Sequence, residues 1–190
     1  MTPFDEIHAF WFEGITDETV IRKNDNPFRK WFLTSKSFDK DVKARFEAYL
    51  LNGGISPDMP KSPRERLAVI VLYDQLSRNI YRDTPMAYRF DEQACALSNR
   101  MIAEGQDLEL MNIERLFVYM PFMHAENQAM QELSVRCFTA LAENVKRQQP
   151  GNHAYYEGNL KYARRYQQII EAYNRFPHRD KILGRNQEQN

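Results

Sequence analysis

At 190 residues, 13% of them aromatic, the chain is long enough to bury a substantial core without disulfide or metal staples. Lys plus Arg and Asp plus Glu each number 26, so the formal net charge is zero and no global field draws the chain to nucleic acid or acidic lipid. Cys95 and Cys137 stand too far apart for a CxxC zinc or redox motif, and no apolar run approaches the roughly 18 residues that cross a bilayer.

The start, MTPFDEIHAF, lacks the basic opening and apolar centre of a signal peptide, and the reading is a soluble cytoplasmic protein with free thiols. Thr2-Pro3-Phe4-Asp5 predicts a helix start, with Thr as cap, Pro at the first position and acids against the positive dipole end; Gly14 closes the element. Asn26-Pro27 opens one or two helical turns whose Phe28, Trp31 and Phe32 are expected to dock into the core. From about Phe38 to Leu51, Phe38, Val42, Phe46, Tyr49 and Leu50 line one face, and Asn52-Gly53-Gly54 ends the helix. A loop with Pro57 and Pro60 follows.

Ser62-Pro63-Arg64-Glu65 combines a capping box with Pro at the first helical position and launches the helix around which the chain is organised. At about 100° per residue, Leu67, Val71, Asp74 and Arg78 form one stripe, while Val69, Leu72, Leu76 and Ile80 form an opposite one. A helix apolar on two sides is central, and here one stripe carries a carboxylate and a guanidinium. Thr84-Pro85 starts the next helix, with Met86, Ala87, Phe90, Ala94, Leu97 and Met101 inward and a stop at Gly105. Asn112 is expected to cap its successor, in which Pro121 predicts a break or kink between about Tyr119 and Glu126. Beyond it, Glu126, Met130, Leu133, Cys137 and Leu141 make an inward stripe.

Pro150-Gly151 marks a loop before a helix from about Tyr155 to Arg175, with Tyr162, Ala163, Tyr166, Ile169, Ile170 and Tyr173 inward. Phe176-Pro177 ends it, and His178 to Leu183 makes one more turn before Gly184. Residues 187–190 are expected to fray. No stretch alternates with period two and no repeat of about 34 residues is visible. The expectation is an all-α protein of seven to nine helices, packed as one domain over residues 1–186.

Three clusters carry polar chemistry: Asp74, Arg78, Asn79 and Arg82; His124, Glu126 and Asn127 after the proline; and Arg175, His178, Arg179 and Arg185 near the end. Each has a plain structural reading, in which i,i+4 pairs fix helix register and terminal arginines bridge to Asp74 and Glu126. Each also has a functional one. Guanidinium forks suit a carboxylate or phosphate, and a His two residues from a Glu suits acid/base work or metal ligation. HExxH spacing is absent, so no metal site and no cofactor is expected; GxSxG, GxGxxG and P-loop patterns are absent too. His8 and His153 read as surface or packing residues.

DQLSRNIYRDTPMAYRFD, ERLFVYMPFMHAENQAMQE and RFPHRDKILGR resemble the three signature blocks of the bacterial domain of unknown function 924 family, and WFLTSKSFDKDVKARF resembles its N-terminal region. The resemblance covers about residues 8 to 186. It implies an all-α fold similar to tetratricopeptide-repeat-like α-α superhelices, and it brings no established activity. The family pattern falls on Asp74, Gln75, Arg78 and Asn79; on Pro121, His124 and Glu126; and on Arg175, Phe176, Pro177, His178 and Arg179. This chain has Leu76-Ser77 in place of Phe-Pro, Ala125 and Asn127 in place of Ser and Asp, Asn174 in place of Gly, Asp180 in place of Asn, and Tyr166 where a His is usual.

Three functions remain open. One is a binding module in which Arg78, Asn79, Arg82, Arg175, His178 and Arg179 hold a small anionic ligand or a peptide carboxylate, with no nucleic acid and no membrane as partner. Another is a hydrolase with His124 as general base, oriented by Glu126 or Asp74. The third is a buried network that only locks helices together. An exposed aromatic strip allows a homodimer without selecting one.

Overall fold

Ser62 begins the helix that organises the molecule. Its hydroxyl accepts the Glu65 N–H at 3.2 Å while the Glu65 carboxylate accepts the Ser62 N–H at 3.1 Å, so two donors orphaned at a helix start are satisfied. The computed structural model describes residues 2–22, 25–32, 35–51, 55–56 and 58–185. In it α4 (Pro63–Val71), a π-helical turn (Leu72–Leu76) and α5 (Ser77–Ile80) follow one another without a gap, and every residue from Arg66 to Ser77 is buried. The two expected stripes therefore merge into a rod enclosed on all sides. In the π turn the Ser77 N–H reaches the Leu72 carbonyl five residues back, and the Ser77 hydroxyl donates to the Tyr73 carbonyl. The local backbone is thus satisfied without α geometry.

Around this rod lie α1 (Pro3–Phe12), α2 (Asn26–Phe32), α3 (Lys36–Phe46), α6 (Asp91–Ala103), α7 (Asn112–His124), α8 (Gln128–Gln148), α9 (His153–Tyr173) and α10 (Asp180–Leu183). Counting Pro63–Ile80 as one, the described residues form nine α-helices and contain no strand. The protein is all-α. Among the described residues no helix is long and apolar enough to cross a membrane. α1 packs on α4, while α7, α8 and α9 pack in sequence. Asn112 at the start of α7 accepts from Asn144 near the end of α8, and Glu126 before α8 accepts from Phe176 after α9, which makes both neighbours antiparallel. Phe117 of α7 receives Trp11, Phe12 and Trp31 at ring-centroid distances of 5.7, 5.5 and 5.1 Å, and the Trp31 Nε1–H donates to the Trp11 carbonyl at 3.0 Å. Buried aromatic side chains each contribute roughly 2–3 kcal/mol, so this cluster ties α1 and α2 to α7.

Several expectations are corrected. The break expected between about Tyr119 and Glu126 is present, but past the proline: α7 runs through Pro121 to His124 and the chain turns extended at Ala125. The carbonyls freed there are taken by Gln131, whose side-chain amide donates to the Met123 and Ala125 carbonyls at 2.8 and 2.7 Å. That role buries Gln131. The inner face of α8 is accordingly Gln131, Ser134, Phe138, Leu141, Ala142 and Val145, while Met130, Leu133 and Cys137 are half-buried. Glu126 precedes the helix instead of continuing its stripe, because Asn127 is the cap and its Oδ1 accepts the Met130 N–H at 3.0 Å. Asn112 is the first residue of α7, not its cap; the Glu114 carboxylate takes the Met111 N–H at 2.9 Å. Thr84-Pro85 starts a 3-10 turn, Pro85–Tyr88, that precedes α6. Tyr162 and Tyr173 are 58% and 52% exposed and Phe32 is exposed as well, since no described element covers those faces. His8 is tied by its Nε2 to buried Glu114. Asn52-Gly53-Gly54, Pro57 and residues 187–190 lie outside the described residues.

Candidate functional site

The π turn sets the wholly buried Asp74 against α7, where its Oδ1 lies 2.7 Å from His124 Nδ1. Its other oxygen accepts from the Gln75 side-chain amide. Arg78, one turn on, donates through Nη1 to the Asp74 carbonyl at 2.6 Å, with Asp74 Oδ1 at 3.3 Å, and through Nη2 to Asp91 Oδ2 at 2.9 Å. Arg179 approaches from the C-terminal segment. It donates to the same Asp91 oxygen at 3.3 Å and to the His124 carbonyl at 3.0 Å, with the rings of Tyr88 and Phe176 centred 4.5 and 4.6 Å from its guanidinium carbon. The result is a closed ring: Asp74, His124, Arg179, Asp91, Arg78 and back to Asp74.

Burial opposes the charge on Asp74, but the His124 ring and the Arg78 guanidinium outweigh it and hold the carboxyl at about 2. An ionised carboxylate only accepts, so His124 Nδ1 carries the hydrogen of this contact. Asp91 is displaced the other way. Burial pushes its carboxyl above the usual range and the neighbouring Asp74 charge adds to this, against the pull of Arg78. Its Oδ1 is buried without a partner among the described residues. His178 is exposed, but burial of its ring and then the Arg179 charge lower its affinity for a proton.

The other expected site residues fall into satellite pairs. Asn79 and Arg82 both hold Asp39, Asn79 at 2.8 Å and Arg82 through two bonds of 2.7 and 2.9 Å. Arg175 bonds both oxygens of Asp180 at 3.2 and 3.1 Å. Glu126 is clasped by Arg185 through bonds of 2.9 and 2.6 Å and also accepts the Phe176 N–H at 2.8 Å. Glu126 therefore pins the C-terminal segment, and the carboxylate that orients His124 is Asp74.

His124, 16% exposed, borders three cavities. One of about 280 Å³ is lined by Arg78, Arg82, Asp83, Ala87, Tyr88, Tyr166, His178 and Arg179 besides His124. A second, of about 860 Å³ and mostly apolar, shares Arg78, His124 and Tyr166 with the first and extends between α2, α7 and α9 along Phe28, Phe32, Met120, Met123, Tyr155 and Tyr162. A third, of about 760 Å³, lies beyond Asp91 and takes in Glu92, Cys95, Glu126, Arg179 and Arg185. Asn79 and Arg175 border none of these.

Charge decides what the smallest cavity can hold. Arg78, Arg82 and Arg179 are matched by Asp39, Asp74, Asp91 and Asp83, so guanidinium and carboxylate charges leave no positive surplus. That balance offers nothing to offset the two charges of a phosphate monoester. In the 760 Å³ cavity burial pushes the Cys95 thiol up to about 11, which disfavours the thiolate a nucleophile needs. Among the described residues no three His, Cys, Asp or Glu side chains are arranged to hold a metal ion. Sequence reasoning missed Asp91 and Tyr88. The only distinguishing signal of Asp91 in the sequence is its place at the close of the first signature block.

No curated protein matches the chain. The fold is similar to the solved structure of a protein of unknown function, ATU0120, from Agrobacterium tumefaciens, with a TM-score of 0.72 and 28% sequence identity over 97% of this chain and 92% of that one. The model of the bacterial proteins of unknown function called DUF924 matches residues 7–190. With nearly the whole chain matched, and the ring of Asp74, Arg78, His124 and Arg179 drawn from all three blocks that resemble that family, the protein belongs to the DUF924 family.

Proposed function

We propose that the protein is a binding module for a small organic acid, whose single carboxylate sits in the 280 Å³ cavity against Arg78, Arg82, His178 and Arg179. One observation carries this reading: the three arginines that line the cavity are each held by a carboxylate, Asp74 and Asp91 for Arg78, Asp39 for Arg82, and Asp91 for Arg179. A guanidinium has five donors, so each keeps some for a ligand. Fixing these long side chains in advance spares about 0.5–1.5 kcal/mol of ordering cost apiece on binding. A carboxylate at the end of a peptide shares this chemistry.

Titration calorimetry with benzoate and hexanoate tests it, using Arg82→Gln and His178→Gln, which both lie outside the closed ring. Loss of one charge-assisted bond is worth about 1.5–3 kcal/mol, so R82Q should weaken binding at least about tenfold. The reading is rejected if folded wild type binds neither acid, or if both variants bind as well as wild type.

A second reading rests on the 2.7 Å contact of Asp74 with His124. A buried carboxylate that orients an imidazole beside a cavity is the arrangement of a general base. Nε2 would take a proton from water as its oxygen attacks an ester carbonyl, with an Arg78 donor meeting the oxyanion. Hydrolysis of p-nitrophenyl esters should then fall at least about a hundredfold in His124→Gln. Wild type no faster than buffer removes this reading.

A further inference from the structure

The apolar cavity next to the carboxylate pocket contains a feature that neither folding nor packing requires. Gly158 lies in the interior of the 21-residue α9, where glycine costs about 1 kcal/mol relative to alanine. Its φ is not in the left-handed region, so conformational freedom is not what it supplies. Apart from its own turn of helix, no described atom lies within 4 Å of a Cβ built on it, so close approach of another element does not demand it either. What the missing side chain leaves is space, and that space belongs to the 860 Å³ cavity. Ala154, one turn earlier on α9, and Gly151, in the 3-10 turn Pro150–Asn152 before it, line the same cavity with small residues. Val20, Phe32 and Tyr162, large apolar residues that remain exposed, border this cavity too. Exposed apolar area of this kind marks a surface that a partner covers.

The polarity of the two cavities runs in one direction. Arg78 and His124 stand where the cavities meet, the smaller one continues into guanidinium and imidazole groups, and the larger one continues into aromatic rings and thioethers. A volume of this size lies within the range of sites that enclose most of a small organic molecule. We infer that the ligand is a carboxylic acid with a long aliphatic or aryl-aliphatic body, its head beside Arg78 and His124 and its body laid over Gly158 between α2 and α9. This rests on the proposed binding function and adds the class of ligand. The lack of a positive surplus at the head disfavours dianions, and the mostly apolar lining of the larger cavity favours an apolar body.

The test is a chain-length series of straight carboxylates from acetate to decanoate, followed by NMR titration of the histidine ring resonances on wild type, Gly158→Ala and Gly158→Leu. Each methylene buried is expected to tighten binding about fourfold until the cavity is full. Alanine leaves most of the space and should keep this gradient. Leucine, a better helix former that enters open space, should fold and keep acetate binding while the gradient collapses. If G158L does not fold, the wild-type series decides alone. Acids that bind with no dependence on length overturn the inference and leave the carboxylate pocket standing. Length-independent binding together with self-association of the wild type by sedimentation assigns the apolar face to a second copy of the chain, which also overturns it. No binding at any length removes the inference and the pocket together.

Discussion

Asp74 shows how one side chain is forced to be polar inside a core. A buried carboxylate without partners costs several kcal/mol, and Asp74 is relieved of that cost by His124, Arg78 and the Gln75 amide. Its folded pKa of about 2 lies below the ordinary aspartate value of 3.8, so the native state binds this proton less readily than the unfolded chain. The resulting stabilisation, about 2 kcal/mol, is fully present above the unfolded value and is lost as pH falls through the folded one. Between about pH 5 and about pH 2 the wild type should therefore lose about 2 kcal/mol more stability than Asp74→Asn. Urea unfolding at the two pH values measures this, and parallel losses in both proteins would show that Asp74 is not held ionised by its neighbours. Asn127 shows the opposite case. The resemblance places an acid there, yet the residue is a helix cap, a role Asn and Asp fill equally well, so the departure costs the fold nothing.

At the scale of the element, local signals explain starts and stops better than faces. Thr2 caps its helix and Ser62 forms the capping box as read from the sequence, Thr2 adding a box of its own with Asp5, and Gly105 and Gly184 take the left-handed conformation that ends their helices. Asn174 stands where the resembling family has Gly, and it ends α9 in that same conformation, with φ of 53°. Asn tolerates this region and a residue with an unassisted Cβ does not. Asn174→Ala should cost about 1 kcal/mol, whereas Asn174→Gly should be close to neutral, read as shifts of the urea midpoint at unchanged slope. The faces of α8 and α9 were less legible. Apolar spacing points to Met130, Leu133 and Cys137, but the helix turns Gln131 and Ser134 inward because the end of α7 needs donors. Periodicity cannot see that need, since it arises on another helix. The π turn was hidden for a related reason: it depends on the Ser77 hydroxyl and on the packing around Leu72–Leu76, while a wheel assumes uniform rotation.

For the molecule as a whole, the sequence by itself determined that the protein is all-α, where most helices begin and end, and that a central helix carries ionic groups into the core. Those properties follow from contacts within about four residues and from the ratio of apolar to polar positions, which any reader of the chain can see. It also marked the three blocks whose residues meet. Only the tertiary structure decided who pairs with whom: Asp74 and not Glu126 orients His124, Asp91 joins Arg78 to Arg179, and Glu126 anchors Arg185. Several carboxylates were available to each arginine, and the choice among them is made by helix packing over separations of 13 to 88 residues. The cavities were beyond the sequence for the same physical reason, because an empty volume is defined by the elements that fail to fill it.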